Sequence, residues 1–137
     1  MAVRIGPKLE SFFDQPLLAT VCTLNGRGAP ELTPIWYGYF DGFIWFNGTG
    51  TREWLKRMES TGRSTFFLLD GSNNWKWAQV WGRVVEVADD PEATQFARVG
   101  ERYGRKVGNS GDRRYVKVEI TAVKGRAGTP SDMWDVS

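Results

Sequence analysis

The 137-residue sequence predicts a mainly β domain, an antiparallel barrel or sandwich with short helices between its strands. Six apolar segments of strand length follow one another along the chain. Turn dipeptides such as Asn25-Gly26 and Asp41-Gly42 separate neighbouring segments, as in tight antiparallel hairpins. Only short stretches with helical spacing lie between them, and closure into a barrel or sandwich would hide the edges of so many strands.

The predicted strands are rich in β-branched and aromatic residues and are bounded by turn residues. Asp41-Gly42 joins the second to the third, because both residues accept the positive φ angles of a type I′ turn. Trp75, Trp77, Gln79 and Trp81 alternate along one side of the fifth. The strands are expected at residues 17–24, 31–40, 43–47, 64–69, 75–87 and 114–121.

Three helices are expected outside these strands. Residues 8–14 have apolar positions at helical spacing, and Pro16 closes the segment. Thr51 is predicted to cap a second helix that stops at Gly62, and Asp89 or Asp90 with Pro91 begins a third that runs to about Tyr103. Residues 122–137, after the last strand, are predicted to form a mobile tail.

Length and composition limit the number of domains and the kinds of catalytic and metal-binding chemistry that the chain can have. The length suits a single domain, 1–137, and a hydrophobic fraction of 41% is typical of a folded protein. Cys22 is the only cysteine and histidine is absent, which excludes an internal disulfide, imidazole catalysis and most zinc sites, so no metal site is expected. Neither a membrane-spanning run nor a signal-peptide core is visible, and we expect a cytoplasmic location.

The segment Phe46 to Met58, FNGTGTREWLKRM, carries more chemistry than a direction-reversing turn needs. Thr49 and Thr51 offer hydroxyls, Gly50 allows close approach to the backbone, and Arg52 stands where a helix start presents free N–H groups. These features predict an anion site. The simpler interpretation is a glycine-rich turn before a helix whose basic residues are solvated, and Glu53 breaks the dinucleotide-binding pattern G-x-G-x-x-G.

The order of four segments resembles the pyridoxamine 5′-phosphate oxidase-like split β-barrels, which bind FMN or the deazaflavin coenzyme F420. The segments are LATVCTLNGRGAPELTPIWYGYFDGFIWFN, TREWLKRM, STFFLLD and AQVWGRVVEV, between about Leu17 and Val87. The resemblance implies a six-stranded antiparallel split barrel that forms a homodimer, with the cofactor in a groove between subunits. It also implies an oxidoreductase that passes a hydride to or from a small organic substrate.

The family's cofactor residues are carried onto matching positions of this chain. The end of the third predicted strand and the following helix would hold phosphate, and Trp54 stands where the family has a lysine, so Lys56 is the substitute. The motif TPIWYG would lie along the ring, and Gln79 would approach it from the partner strand. No catalytic side chain is identified, and the choice between FMN and F420 stays open. The implied cofactor residues are Pro34, Ile35, Trp36, Thr49, Gly50, Thr51, Arg52, Lys56 and Gln79.

Parts of the sequence also suggest two other function classes. Trp54 in place of the lysine favours a non-catalytic module that binds an apolar or pigment-like ligand such as haem. The tryptophan row of the fifth strand suggests either a buried core or interface, or a platform for nucleic-acid bases. Lys76 points away from Trp75 and Trp77 in a regular strand, which leaves such a platform without charge. We therefore expect neither a nucleic-acid partner nor a membrane partner.

Overall fold

The computed structural model describes residues 2–109 and 111–137. Within them the chain forms a seven-stranded antiparallel sheet, ordered β2-β1-β5-β6-β7-β4-β3, with three helices. The predicted mainly β, antiparallel class is confirmed. The elements are α1 (Pro7–Asp14), β1 (Ala19–Leu24), β2 (Pro30–Ile35), β3 (Gly38–Phe40), β4 (Phe43–Thr49), α2 (Glu53–Thr61), β5 (Arg63–Leu69), β6 (Lys76–Asp89), α3 (Thr94–Arg102) and β7 (Arg113–Ala127).

The seventh strand arises because the predicted strand 31–40 is interrupted at Trp36 and Tyr37. The Tyr37 N–H donates to the Tyr103 hydroxyl over 3.1 Å, and the Tyr37 carbonyl accepts from Arg102 Nε over 3.0 Å. Both backbone groups are thus bound by the end of α3 instead of by a neighbouring strand. Since β2 and β3 lie at opposite ends of the strand order but are consecutive in the chain, this interrupted strand closes the barrel.

Side-chain alternation separates a buried inner face from an outer face. In β5, Ser64, Phe66 and Leu68 are buried, whereas Phe67 and Leu69 lie outside. The inner face joins the apolar sides of α1 and α2 in one core, which is the pattern expected of strands with one buried face. None of the helices in these described residues is both long and apolar enough to cross a membrane.

The C-terminal region differs from the prediction. The last strand continues to Ala127, six residues beyond the predicted end at Thr121. Beyond it Trp134 is buried, stacks on Phe12 with centroids 5.0 Å apart, and donates from Nε1 to the Trp77 carbonyl over 2.8 Å. The segment predicted to be a mobile tail therefore supplies one strand end and one core residue.

The starts of α2 and α3 also differ from the predictions. The N-cap of α2 is Arg52, not Thr51, and no side chain caps this helix. Its end at Gly62, with φ of 69°, is as predicted. The third helix begins at Thr94, and the buried Asp90 carboxylate accepts the N–H groups of Gln95 and Phe96 over 3.1 and 3.0 Å.

Candidate functional site

The end of β4 brings two hydroxyls together beside the start of α2. Thr49 Oγ1 and Thr51 Oγ1 are 3.0 Å apart. The turn that places them is fixed by two backbone bonds, from the Gly50 N–H to the Asp112 carbonyl over 3.1 Å and from the Arg52 N–H to the Thr49 carbonyl over 3.1 Å. The predicted hydroxyls of Thr49 and Thr51 therefore lie together on one turn, which begins at the end of β4 and leads into α2.

The basic residues of α2 differ in how they are neutralised. Lys56 Nζ lies 3.7 Å from Glu53 Oε1, and Arg57 Nη1 lies 2.8 Å from Glu31 Oε1. The Arg57 guanidinium is the main reason that the pKa of Glu31 lies below its ordinary value. Arg52, in contrast, has no ion pair with any residue in the described ranges. The first N–H groups of a helix also lack intrahelical acceptors, so this end of α2 offers hydrogen-bond donors beside Arg52, together with one negative charge from Glu53 in the first turn.

Trp54 points into the core. It is 6% exposed, meets the Phe46 ring edge-on with centroids 6.2 Å apart, and approaches Gly48 so closely that a Cβ there would lie 2.7 Å from its Cζ2 atom. Gly48 is therefore required by the close approach of the indole. Since the indole faces inward, it does not occupy the outer side of the turn where Thr49 and Thr51 meet.

Arg113 reaches the same turn from β7. It is the cross-strand partner of Thr49, and directly opposed residues in an antiparallel pair project on the same face. Its Nε donates to Asn47 Oδ1 over 2.9 Å, and its guanidinium lies 3.6 Å from the centre of the Phe96 ring. Burial lowers the pKa of Arg113 from its ordinary value, the charge of Asp90 opposes this, and the positive charge of Arg52 lowers the pKa further.

A carboxylate lies near this turn, on its other face. A Cβ at Gly50 would lie 3.2 Å from Asp112 Oδ1 and 3.4 Å from Arg114 Cδ. Because side chains alternate along a strand, Asp112 and Arg114 project to the side opposite Arg113. Arg114 is neutralised there by Glu59, 2.9 Å away, and by Asp89, 3.2 Å away.

The three residues predicted to lie against the cofactor ring point in different directions. Pro34 is exposed on the outer face of β2, whereas Ile35 packs against the core. Trp36 is half-buried and stacks on Tyr103, with centroids 4.7 Å apart and planes 8° apart. The side chains of these three predicted residues therefore do not share one face of the segment.

Gln79 and Pro34 belong to one row of the outer face. Thr20 pairs with both Pro34 and Phe67, and Phe67 pairs with Gln79, so these residues follow one another across β2, β1, β5 and β6. The Gln79 side chain has no hydrogen bond to other described residues. Exposed apolar residues surround the row. We call this surface the outer sheet face; its exposed members include Leu24 (60%), Leu32 (67%), Phe67 (37%) and Leu69 (41%).

The turn after β4 and Gln79 lie far apart within one protomer. Thr49 pairs with Arg113 near the start of β7, while Gln79 pairs with Lys124, eleven positions further along the same strand. At about 3.3 Å per residue, these eleven positions correspond to about 36 Å along β7. Lys56 lies elsewhere again, in a groove of about 780 Å³ that α2 forms with Cys22 of β1 and Thr65 of β5.

The comparisons with known proteins agree with this architecture. The family model described as pyridoxamine 5′-phosphate oxidase matches residues 5–127. The chain belongs to the pyridoxamine 5′-phosphate oxidase family. Comparison with curated proteins gave no match.

Solved structures share the fold of this family member. A protein named F420 reductase superposes with a TM-score of 0.76 at 21% identity, covering 83% of this chain and 94% of that one. An FAD-binding protein from Mesorhizobium loti gives 0.63 at 20% identity, covering 92% and 98%. General Stress Protein 26 from Bacillus anthracis gives 0.68 at 8% identity, covering 89% and 93%. At these identities the likeness establishes the fold alone.

Sequence reasoning missed Arg113 and Tyr103 as neighbours of the predicted site residues. Arg113 is one of several basic residues around the start of the last strand, and only the register with β4 sets it beside Thr49. Tyr103 ends the third predicted helix, and no local pattern connects it with Trp36. Finding them requires knowledge of which distant segments contact each other, and a single sequence does not contain this information.

Proposed function

We propose that this member of the pyridoxamine 5′-phosphate oxidase family is a flavin- or deazaflavin-dependent oxidoreductase. It would bind FMN or F420 as a homodimer in the cytoplasm and pass a hydride to or from a small organic substrate. The observation that carries the proposal is the turn after β4, where two hydroxyls 3.0 Å apart stand beside an arginine that has no ion pair in the described chain.

The donors at this turn suit a phosphate group. Thr49 and Thr51 present hydroxyls on one side, Arg52 presents a guanidinium, and the start of α2 adds N–H groups with the positive end of the helix dipole. Arg52 at the N-cap position, with no capping side chain, leaves these N–H groups to a ligand. In this proposal Lys56 contributes at most long-range charge, since Glu53 is beside it.

The outer sheet face supports the homodimer. Leu24, Leu32, Phe67 and Leu69 expose apolar surface next to the partly buried Trp77 and Trp81, and contiguous apolar surface of this kind is typical of interfaces. We propose that a second copy of the chain covers it. Pro34 and Gln79 of one protomer would then approach the cofactor whose phosphate the other protomer holds, which accounts for the wide separation of the two groups.

When bound, the flavin or deazaflavin ring supplies the hydride chemistry. The residues of the chain position the phosphate, present the free amide of Gln79 to the ring, and exclude water with apolar side chains. None of these tasks needs an imidazole, in agreement with the absence of histidine. FMN and F420 both carry a phosphate beside a tricyclic ring, so the proposal covers both.

The binding-module alternative loses its main support. It rested on Trp54 filling the groove in place of the family lysine, and this indole is buried in the core beside Phe46 and Gly48. No other feature of the described residues favours an apolar or pigment ligand over a phosphorylated ring.

Titration of the purified protein with FMN and with F420 tests the proposal. The expected result is saturable quenching of the fluorescence of one cofactor, with a melting temperature that rises as that ligand is added. A matched control is Arg27→Ala, in the exposed turn between β1 and β2, which should bind like the wild type. Absence of both responses for both cofactors would overturn the proposal.

A further inference from the structure

Arg113 shares the outer face of the β4–β7 pair with Thr49. The Cβ atoms of such opposed residues lie about 5 Å apart, so the base of the arginine lies beside Thr49, while its guanidinium lies against Asn47 and the Phe96 ring. Arg52 follows directly, since its N–H is bonded to the Thr49 carbonyl. Two arginines and two hydroxyl-bearing residues therefore belong to the segments that form and flank one turn.

The orientation of Arg113 is fixed by groups that leave most of its donors free. Asn47 accepts from Nε, and Asn47 is itself held by Asp90 through a 2.9 Å bond from Nδ2 to Oδ2. The Phe96 ring supports the flat face of the guanidinium. No described residue accepts a hydrogen bond from the two terminal nitrogens, which together carry four of the five N–H donors.

The nearby carboxylates compensate this pair only in part, because the charge of Asp90 acts on Arg113 without an ion pair between the two side chains. The Asp90 carboxylate is buried and already accepts from Asn47 and from two backbone N–H groups of α3. Asp112 projects to the opposite face of the strand pair, beside Gly50. The positive charge of Arg52 acts on Arg113 and lowers its pKa. An anion between the two guanidinium groups would relieve this repulsion, and planar guanidinium forks match the oxygens of a phosphate.

We propose that Arg113 is the second cation of the phosphate site, and that it clamps one phosphoryl group together with Arg52 above the Thr49 and Thr51 hydroxyls. This inference rests on the proposed function, and it assigns the place of the family lysine to a residue of the final strand instead of to Lys56. Arg113 binds the ligand directly, while Asn47 and Phe96 position it.

The test compares FMN with riboflavin, and F420 with the same deazaflavin without its phosphate, for the wild type and for Arg113→Gln. The matched control is Arg98→Gln. Arg98 lies in α3, and its guanidinium also stacks on an aromatic ring, that of Phe40 at 4.0 Å. Loss of a charge-assisted contact should weaken binding of the phosphorylated form by about tenfold to a hundredfold in Arg113→Gln. Binding of the phosphate-free ring should not change, and Arg98→Gln should match the wild type for both.

Two results would overturn the inference and leave the proposed function intact. One is unchanged affinity of Arg113→Gln for the phosphorylated cofactor. The other is equal weakening for the forms with and without phosphate, which indicates a role in folding only. Arg113→Lys, which keeps the charge, should recover part of the affinity and so exclude a purely structural effect. If the wild type binds neither cofactor, the melting temperatures of the wild type and Arg113→Gln are measured with added inorganic pyrophosphate. A rise in the wild type but not in Arg113→Gln supports the clamp, and no rise in either protein overturns it.

Discussion

The turn after β4 and the outer sheet face differ in what they leave unsatisfied. At the turn, polar groups converge within one protomer: the Thr49 and Thr51 hydroxyls touch, and Arg113 is fixed by Asn47 beside them. On the outer sheet face, apolar side chains are presented to solvent. In the row formed by Pro34, Thr20, Phe67 and Gln79, the polar side chains are the Thr20 hydroxyl and the free amide of Gln79. The turn presents hydrogen-bond donors, and the outer sheet face presents apolar surface.

In the proposed function, the two regions would divide the binding of a large cofactor between them. A phosphate needs a few donors, which one turn and one neighbouring strand supply. A tricyclic ring needs an apolar enclosure, and the interior of this barrel is filled by its own core, including Phe46, Phe66 and Trp54. In the proposed function this enclosure would form between two protomers, and the outer sheet face is the exposed apolar surface that the described chain offers for it.

The largest effect is expected from charge on the outer sheet face. The double variant Leu32→Glu, Phe67→Glu should run as a monomer of 15.5 kDa and lose cofactor binding, since each carboxylate left unpaired in a buried interface costs about 3–5 kcal/mol. Light scattering with size-exclusion chromatography checks the mass. Val85→Glu, an exposed apolar position near the other end of β6, serves as the control and should leave the mass of the wild type unchanged. A double variant with the wild-type mass would show that this face is not the interface.

The second effect separates the core from the turn. Trp54→Ala should lower the free energy of unfolding by about 3–5 kcal/mol, because it removes a large buried side chain packed on Phe46 and Gly48. Urea unfolding measures the change. A loss below 1 kcal/mol, combined with a change in cofactor affinity, would indicate that the indole contacts ligand instead of core.

The third effect concerns the turn itself. Arg52→Ala should weaken binding of the phosphorylated cofactor by about 1–3 kcal/mol, the range for a lost charge-assisted bond, without lowering the free energy of unfolding. Calorimetric titration and urea unfolding give the two values. Lys56→Ala is the control on the same helix and should bind as the wild type does. Equal losses in both variants would mean that the helix attracts the anion only through its total charge.

The smallest effect concerns two buried tyrosines, one in β3 and one in the interruption just before it. Burial raises the pKa of Tyr39 to about 12, and burial also raises that of Tyr37. Because these folded-state values exceed the unfolded value near 10, the stabilisation is complete below pH 10 and is lost as the pH rises further. Unfolding free energy should fall by about 1 kcal/mol for Tyr39 between pH 10 and 12. Tyr39→Phe should show a shallower decline, and an identical decline would contradict this cause.

Much of the fold was predictable because its signals are local. Asp41-Gly42 marks the β3–β4 hairpin with positive φ at both residues, and Gly62 ends α2 in the left-handed region, as expected. The interruption at Trp36 and Tyr37 was not predictable, since it depends on Arg102 and Tyr103, more than sixty residues away. Trp134 was missed for the same reason, because a single aromatic residue in a polar segment has no periodicity.

The candidate site likewise has features that the local sequence predicts and features that depend on the tertiary structure. The sequence motif GTGTR specifies a turn with two hydroxyls next to an arginine, and the structure brings the two hydroxyls together. The separation of Gln79 from that turn, and the arrival of Arg113 beside it, are consequences of strand register, which only the folded chain reveals.

The most direct measurement of the central claim is the difference in affinity between each cofactor and the same ring without its phosphate. If the turn after β4 holds a phosphate, FMN should bind the wild-type protein at least about tenfold more tightly than riboflavin, or F420 more tightly than its phosphate-free deazaflavin, by at least about 1.4 kcal/mol. Equal affinities within both pairs would contradict the account.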